Sequence, residues 1–373
     1  MKRLIQSVAF LFLLTLVFLG MTSCGNDAPY IIGESVYSNY DQLTETERTI
    51  YDSLCEEIRN FNFEFHFTDV DEDEVRHAYL SVLADHPEFF WLGNGNSYNT
   101  VSTDDKTDLT LTPFAMDPNA VPGMQAQLAA KVDSVISKAK DQPTAFDQII
   151  YIHDFLVEHT QYDNEAYRLV SSGKQAETIL DSTTAYGCLV NGRAICSGYS
   201  AAFQYLAQSL GYQCGRVSGF KKGGESHEWN YILLDDEYYF IDVTWDDPVS
   251  PDGTSNSKSY EFFCITTDEL LRTHEIDKDQ LVPQCSGTKY DYFVYKGFFF
   301  EEYDFDKVSE VINQLQGSSS YSLKFISESE CQKALKELID NGRIFDINDE
   351  FKERGEISYS IGTSGQIITI YAE

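Results

Sequence analysis

Residues 192–212 read GRAICSGYSAAFQYLAQSLGY, and Cys196 stands where a loop pattern turns into a helical one. Gly211, directly after Leu210, suits the residue that closes such a helix. A cysteine at that point has two readings. Free cysteine is among the most buried residue types, which makes it core. A helix N-terminus also presents unpaired N–H groups and partial positive charge, which favour a thiolate and make the sulfur a nucleophile. Its neighbours are small, among them Gly192, Ala194, Ser197, Gly198 and Ser200. They either let a substrate backbone approach or let the helix pack closely.

A nucleophile needs a base, and the base needs an orienting group. Downstream, CGRVSGF (214–220) reads as a strand and KKGGES (221–226) as a flexible loop. HEWNYILL and YYFIDVTW read as a hairpin turning at Asp235–Asp236. Pairing Leu234 with Glu237 and counting outward sets Trp229 opposite Asp242. His227 then shares a face with Asp242 as its diagonal neighbour, within reach of long side chains. A slip of one residue would put them on opposite faces. Trp229 and Trp245 are either core or the walls of a site.

The segments AYGCLVNGRAICSGYSAAFQYLAQSLGYQC (185–214) and SHEWNYILLDDEYYFIDVTWDDP (226–248), with their Cys, His, Asp order, resemble the transglutaminase-like superfamily. The resemblance covers roughly residues 145–250. It implies an α+β fold: a papain-like transglutaminase core, with the nucleophile on a helix N-terminus packed on an antiparallel sheet. It also implies Cys196 as nucleophile, His227 as general base and acid, and Asp242 as the residue that orients the imidazole. No metal or cofactor is implied. The Cys196 N–H is a natural oxyanion donor; Tyr186 and Asn191 are candidates for a second donor. The superfamily holds transamidating enzymes, peptidases, amidases and inactive scaffolds. The expected substrate is a peptide or protein amide, at the cell wall or on a surface protein. Hydrolysis is favoured slightly over amine transfer, and a non-catalytic adhesin or wall-binding module is the alternative.

The N-terminus narrows the compartment. MKR precedes the apolar run LIQSVAFLFLLTLVFLGM, and MTSC resembles a bacterial lipobox. The expectation is a leader over 1–23, lipidation of Cys24, and a lipid-anchored protein on the extracytoplasmic face of a bacterial membrane. Residues 24–40 are then a linker, 41–142 a helical N-terminal α+β region, 143–284 the catalytic core and 285–373 a small α/β domain. The net charge is −33, from 60 acids and 27 bases. It argues against nucleic acid and against adsorption to anionic lipid, which leaves the anchor as the only membrane contact.

Other features are read as structure. Asp69, Asp71 and Asp73 suggest a calcium loop, but Glu74 and Leu80 stand where glycine and glutamate are required, so the run is a helix start. His153 lies inside the apolar helix pattern AFDQIIYIHDFLVEH and is expected to be structural. Besides Cys24, seven cysteines remain without C-x-x-C spacing, so neither a zinc cage nor a thioredoxin motif is expected. The tail from 290 reads strand, helix, strand, helix, strand, starting with YDYFVYKGFFF (290–300).

Overall fold

The structure is a computed structural model that describes residues 35–92, 98–103, 105–113, 119–172, 181–247, 258–278 and 280–371. The leader, the lipobox and Cys24 lie outside the described residues. Among the described residues, no helix is long and apolar enough to cross a membrane.

The chain divides into two compact units. The first holds the described residues through Ser259 and returns for His274–Cys285; the second holds Tyr260–Thr273 and the residues from Ser286. The tail begins within one residue of the expected 285, but the division differs in joining region 41–142 to the core and residues 260–273 to the tail. Region 41–142 is continuous with the core because hydrogen bonds tie them together. Arg216 donates to Leu83 O (2.8 Å) and Gln204 to Ala84 O (2.8 Å). Residues 260–273 group with the tail because Glu261 accepts the N–H groups of Thr363 and Ser364, and Glu269 pairs with Lys324 at 2.6 Å.

The first unit opens with α1 (Glu45–Arg59), β1 (Glu64–Thr68), α2 (Glu72–Asp85) and the hairpin β2 (Tyr98–Thr103) and β3 (Lys106–Leu111). These three strands pair antiparallel in the order β1-β3-β2. Asp71 is the N-cap of α2: its carboxylate accepts the Glu74 N–H at 2.8 Å, and Glu74 reaches back to the Asp71 N–H. This capping box explains the acidic run without a cation.

Helices α3 (Val121–Lys140) and α4 (Ala145–His159) follow, then β4 (Gln161–Tyr162), α5 (Asn164–Ser171), β5 (Arg193–Ala194) and α6 (Cys196–Ser209). Helix α6 is buried along most of its length and packs on α3, α4 and two strands, β6 (Cys214–Lys221) and β7 (Ser226–Leu234). Strand β8 (Glu237–Ile241) pairs with β7. After β9 (Phe263–Ile265) in the second unit, β10 (His274–Ile276) returns to pair with β6. The first unit thus orders its strands β10-β6-β7-β8, all antiparallel.

Packing accounts for one small neighbour of Cys196. A Cβ on Gly198 would lie 2.6 Å from Ser182 O and 2.9 Å from the Ala194 Cβ. Neither obstacle is the end of a flexible side chain. Gly198→Ala is expected to destabilise the first unit by about 1–3 kcal/mol, an overpacking cost, read as a fall in its thermal transition.

In the second unit, the stretch expected as a strand at 290–300 divides. The Asp291 carboxylate accepts the Phe293 and Val294 N–H groups and starts α8 (Tyr292–Lys296), α7 being Thr267–Leu270. Gly297, at φ +77°, ends α8, leaving β11 as Phe299–Phe300 only. The tail then continues through α9 (Phe305–Gln314), β12 (Ser320–Phe325), α10 (Glu328–Leu335), α11 (Asp349–Arg354) and the hairpin β13 (Ser358–Ile361) and β14 (Ile367–Tyr371). Its sheet orders β11-β12-β14-β13 around a core that includes Leu323, Phe325, Phe351 and Ile368.

Candidate active site

Cys196 is the first residue of α6, so its N–H belongs to the helix's unpartnered first turn by construction. The chain reaches it on rails. Strand β5 runs parallel to β4, with Gln161 N–H donating to Gly192 O (2.8 Å) and Asp163 N–H to Ala194 O (2.9 Å). Ile195 N–H donates to Ser182 O at 2.8 Å, and the Ser182 hydroxyl donates to Asp163 at 2.7 Å. Gly192 sits at φ +67°, a left-handed turn that suits glycine.

His227 lies on β7 opposite Gly219, and Asp242 follows the last residue of β8. The hairpin register is Leu234 with Glu237 through Asn230 with Ile241. Asp235 and Asp236 both take positive φ, as the tight hairpin turn requires. This register puts His227 and Asp242 on one face, and His227 Nε2 is 2.6 Å from Asp242 Oδ2. Burial opposes the imidazolium, but the Asp242 carboxylate outweighs it, helped by a hydrogen bond and charge from the Cys196 thiol. Together they lift His227 to about 10. Burial likewise opposes the Asp242 carboxylate, and the His227 charge holds its pKa well below the usual range. The structure therefore brings together all three side chains named from the sequence.

A fourth was missed. His274, from β10, places Nε2 3.2 Å from the same Asp242 Oδ2. Its ring lies 4.4 Å from Trp245, 5.0 Å from Trp229 and 5.4 Å from His227. Trp245 N–H donates to Asp242 Oδ1 at 3.1 Å. The two tryptophans are thus walls of the site. Tyr162 was missed too: burial first, and then the nearby Cys196 charge, raise its phenol. At the outer edge, Lys221 Nζ pairs with Glu225 (2.8 Å) and lies 6.0 Å above Trp245.

Both side chains considered for the oxyanion are engaged elsewhere. The Tyr186 hydroxyl donates to Gln127 at 2.7 Å, and Asn191 donates to Asp181 at 3.2 Å. His153 is fully buried in α4, with Nε2 3.3 Å from Asp246 and Nδ1 3.0 Å from Asp154. All seven described cysteines are free and buried.

His227, Asp242 and His274 bring ligand-type atoms within 4.8 Å of one another. A tetrahedral zinc holds its ligand atoms about 3.3 Å apart. The 2.6 Å between His227 and Asp242 is instead a direct hydrogen bond, so the trio reads as a hydrogen-bonded cluster.

A cysteine opening a helix, facing a histidine held by an aspartate on an antiparallel sheet, defines a papain-like α+β core. Residues 130–243 match the family model of the transglutaminase-like superfamily, and the chain carries a transglutaminase-like domain there. The kyphoscoliosis peptidases of Mus musculus and Homo sapiens are 28% and 26% identical over 130 and 134 residues. Those stretches are 31% and 32% of this chain but 18% and 19% of the relatives, so the chain spans under a fifth of their length. A solved structure described as a TGase aligns at 15% identity and a TM-score of 0.32, over 54% of this chain and 55% of that one.

Proposed function

We propose that the protein is a cysteine-dependent acyl-transfer enzyme acting on a peptide or protein amide. The observation that carries this is His227 held at 2.6 Å by Asp242 with the Cys196 thiol beside it. In the first half, the Cys196 thiolate adds to the amide carbonyl and the tetrahedral oxyanion develops at the α6 N-terminus. The His227 imidazolium gives its proton to the leaving nitrogen as the C–N bond breaks. A thioester and a neutral imidazole remain. In the second half, His227 takes a proton from water, the hydroxide carbon–oxygen bond forms, and the thiolate leaves. A primary amine in place of water gives transamidation by the same steps. Asp242 stays ionised and fixes the imidazole tautomer.

Hydrolysis is the favoured outcome, since water is always present as the acceptor. The proposed location is the extracytoplasmic face of a bacterial membrane, through lipid on Cys24, with a wall or surface protein as substrate. A second reading, a non-catalytic scaffold, draws on the burial of Cys196, which is 2% exposed.

The test is incubation of the purified protein with casein, with and without a fluorescent primary amine. Hydrolysis appears as new amino groups, and transamidation as fluorescence fixed to the protein. Iodoacetamide labelling of Cys196 is followed in parallel. Burial pushes the Cys188 and Cys331 thiols up to about 12, so they are slow internal references. Labelling of Cys196 no faster than theirs, and indifferent to His227→Ala, would sink the catalytic reading and leave the scaffold.

A further inference from the structure

We infer that His274 is a positioning residue for the proposed reaction, acting through Asp242 to hold the carboxylate in the plane that His227 needs. The inference rests on the catalytic reading of Cys196 and His227. An aspartate carboxylate turns about a soft terminal torsion with broad wells. One hydrogen bond to His227 does not fix that rotation. Asp242 follows the end of β8, where strand pairing no longer constrains it. Its carboxylate is held at both oxygens: Trp245 N–H on Oδ1, and two imidazole nitrogens on Oδ2. With His227 and His274 both donating, each carries a proton on Nε2, and the His227 imidazolium carries its second proton on Nδ1. That leaves the Nδ1 of His227 as the nitrogen that faces the thiol side.

The fold goes to some length to bring His274 there. It comes from β10, after an excursion of the chain into the second unit, and pairs in register with Lys221 of β6. Strand β10 comes so close that a Cβ on Gly219 would stand 2.1 Å from Glu275 O and 2.6 Å from the Trp229 ring. His274 is fully buried and packed against both tryptophans, so its ring has a fixed position from which to donate. The charged and titratable groups around the imidazole pair include Asp242 beyond β8, Cys196 on α6, Tyr162 on β4, Lys221 on β6, Glu225 in the loop before β7 and the buried Glu228 on β7.

The experiment compares wild type with His274→Phe, which keeps a ring but cannot donate, and His274→Gln, which can. Alkylation of Cys196 is measured against pH with neutral iodoacetamide and with anionic iodoacetate. The anion is drawn by the imidazolium, so its rate falls as His227 deprotonates. With His274→Phe, the iodoacetate rate on its alkaline limb is expected to fall about tenfold, the scale of a weakened ion pair. Its alkaline limb should move to lower pH, because a rotated Asp242 supports the imidazolium less. His274→Gln should recover part of both. A merely structural role would lower the thermal transition without moving the limb. Unchanged rates and limb in folded His274→Phe overturn the inference. Should that variant not fold, nitrogen NMR of the wild-type histidines decides: a proton on Nε2 of His274 supports the bond to Asp242, and a proton only on Nδ1 overturns it. Wild-type Cys196 that is no more reactive than Cys188 would instead sink the proposed catalysis itself.

Discussion

Cys196→Ala is expected to abolish amide turnover, lowering kcat/KM on casein by about 10⁴-fold or more while the fold persists, since removing a nucleophile leaves only binding and oxyanion effects. The sulfur makes no structural bridge: the described cysteines are free, and a buried cysteine packs as a small hydrophobe. The cost in stability should therefore be small against the cost in rate. His227→Ala should lose nearly as much, and the double variant little more, because the two act as one unit. That non-additivity is the decisive reading. Losses that multiply would mean that Cys196 and His227 serve separate steps. Turnover that survives Cys196→Ala would move the chemistry to another group. The pH dependence adds a check. His227 is raised to about 10, so the protonated imidazole persists through neutral pH and is lost only as the pH climbs through that value. Turnover should hold across neutral pH and fall on that alkaline side.

The hairpin is where the sequence was most legible. Its two-residue aspartate turn fixes the register, and a period of two leaves a choice between only two faces. His227 and Asp242 could therefore be brought together by counting. Cys196 was legible as a helix start, because loop residues and an apolar helix meet there. His274 was not, for a physical reason. It reaches Asp242 through β10, a three-residue strand with no periodicity to read, after the chain has left the first unit and come back. Tyr162 likewise sits in a two-residue strand. The segment 290–300 misled because its aromatic run has strand composition, while the Asp291 cap starts a helical turn that local pattern does not weigh. The small residues about Cys196 had two readings, and at Gly198 the contacts with Ser182 and Ala194 decide for packing.

His153→Leu is expected to destabilise the first unit by about 3–5 kcal/mol, the usual loss when one partner of a buried ion pair is removed. The leucine fills much of the space, so the loss is chiefly electrostatic. His153 and Asp246 are both fully buried, 3.3 Å apart, and the variant removes the imidazolium that faces the buried Asp246 carboxylate. Burial disfavours the His153 imidazolium, but hydrogen bonds to Asp154 and Asp246 prevail and raise it to about 9. A folded-state value above the ordinary 6.5 means that the group binds its proton more tightly in the fold. Its contribution is then complete below pH 6.5 and is lost as the pH rises through 9. The wild-type transition of the first unit should decline over that interval, and the decline should be shallower in His153→Leu. Calorimetry against pH measures both. Removing both charges, with His153→Leu and Asp246→Leu together, should recover much of the loss, since a buried pair and well-packed apolar groups are often nearly equivalent. A single variant as stable as wild type, with the same alkaline slope, would show that His153 is neutral in the fold. The pair also bears on the site. Asp246 is four residues beyond Asp242, and its N–H donates to Asp242 O at 3.1 Å. Anchoring Asp246 to α4 therefore holds the backbone that carries the Asp242 carboxylate. His153→Leu should slow Cys196 alkylation as well, and the double variant should restore stability more fully than reactivity. The apolar replacement fills the volume but anchors nothing.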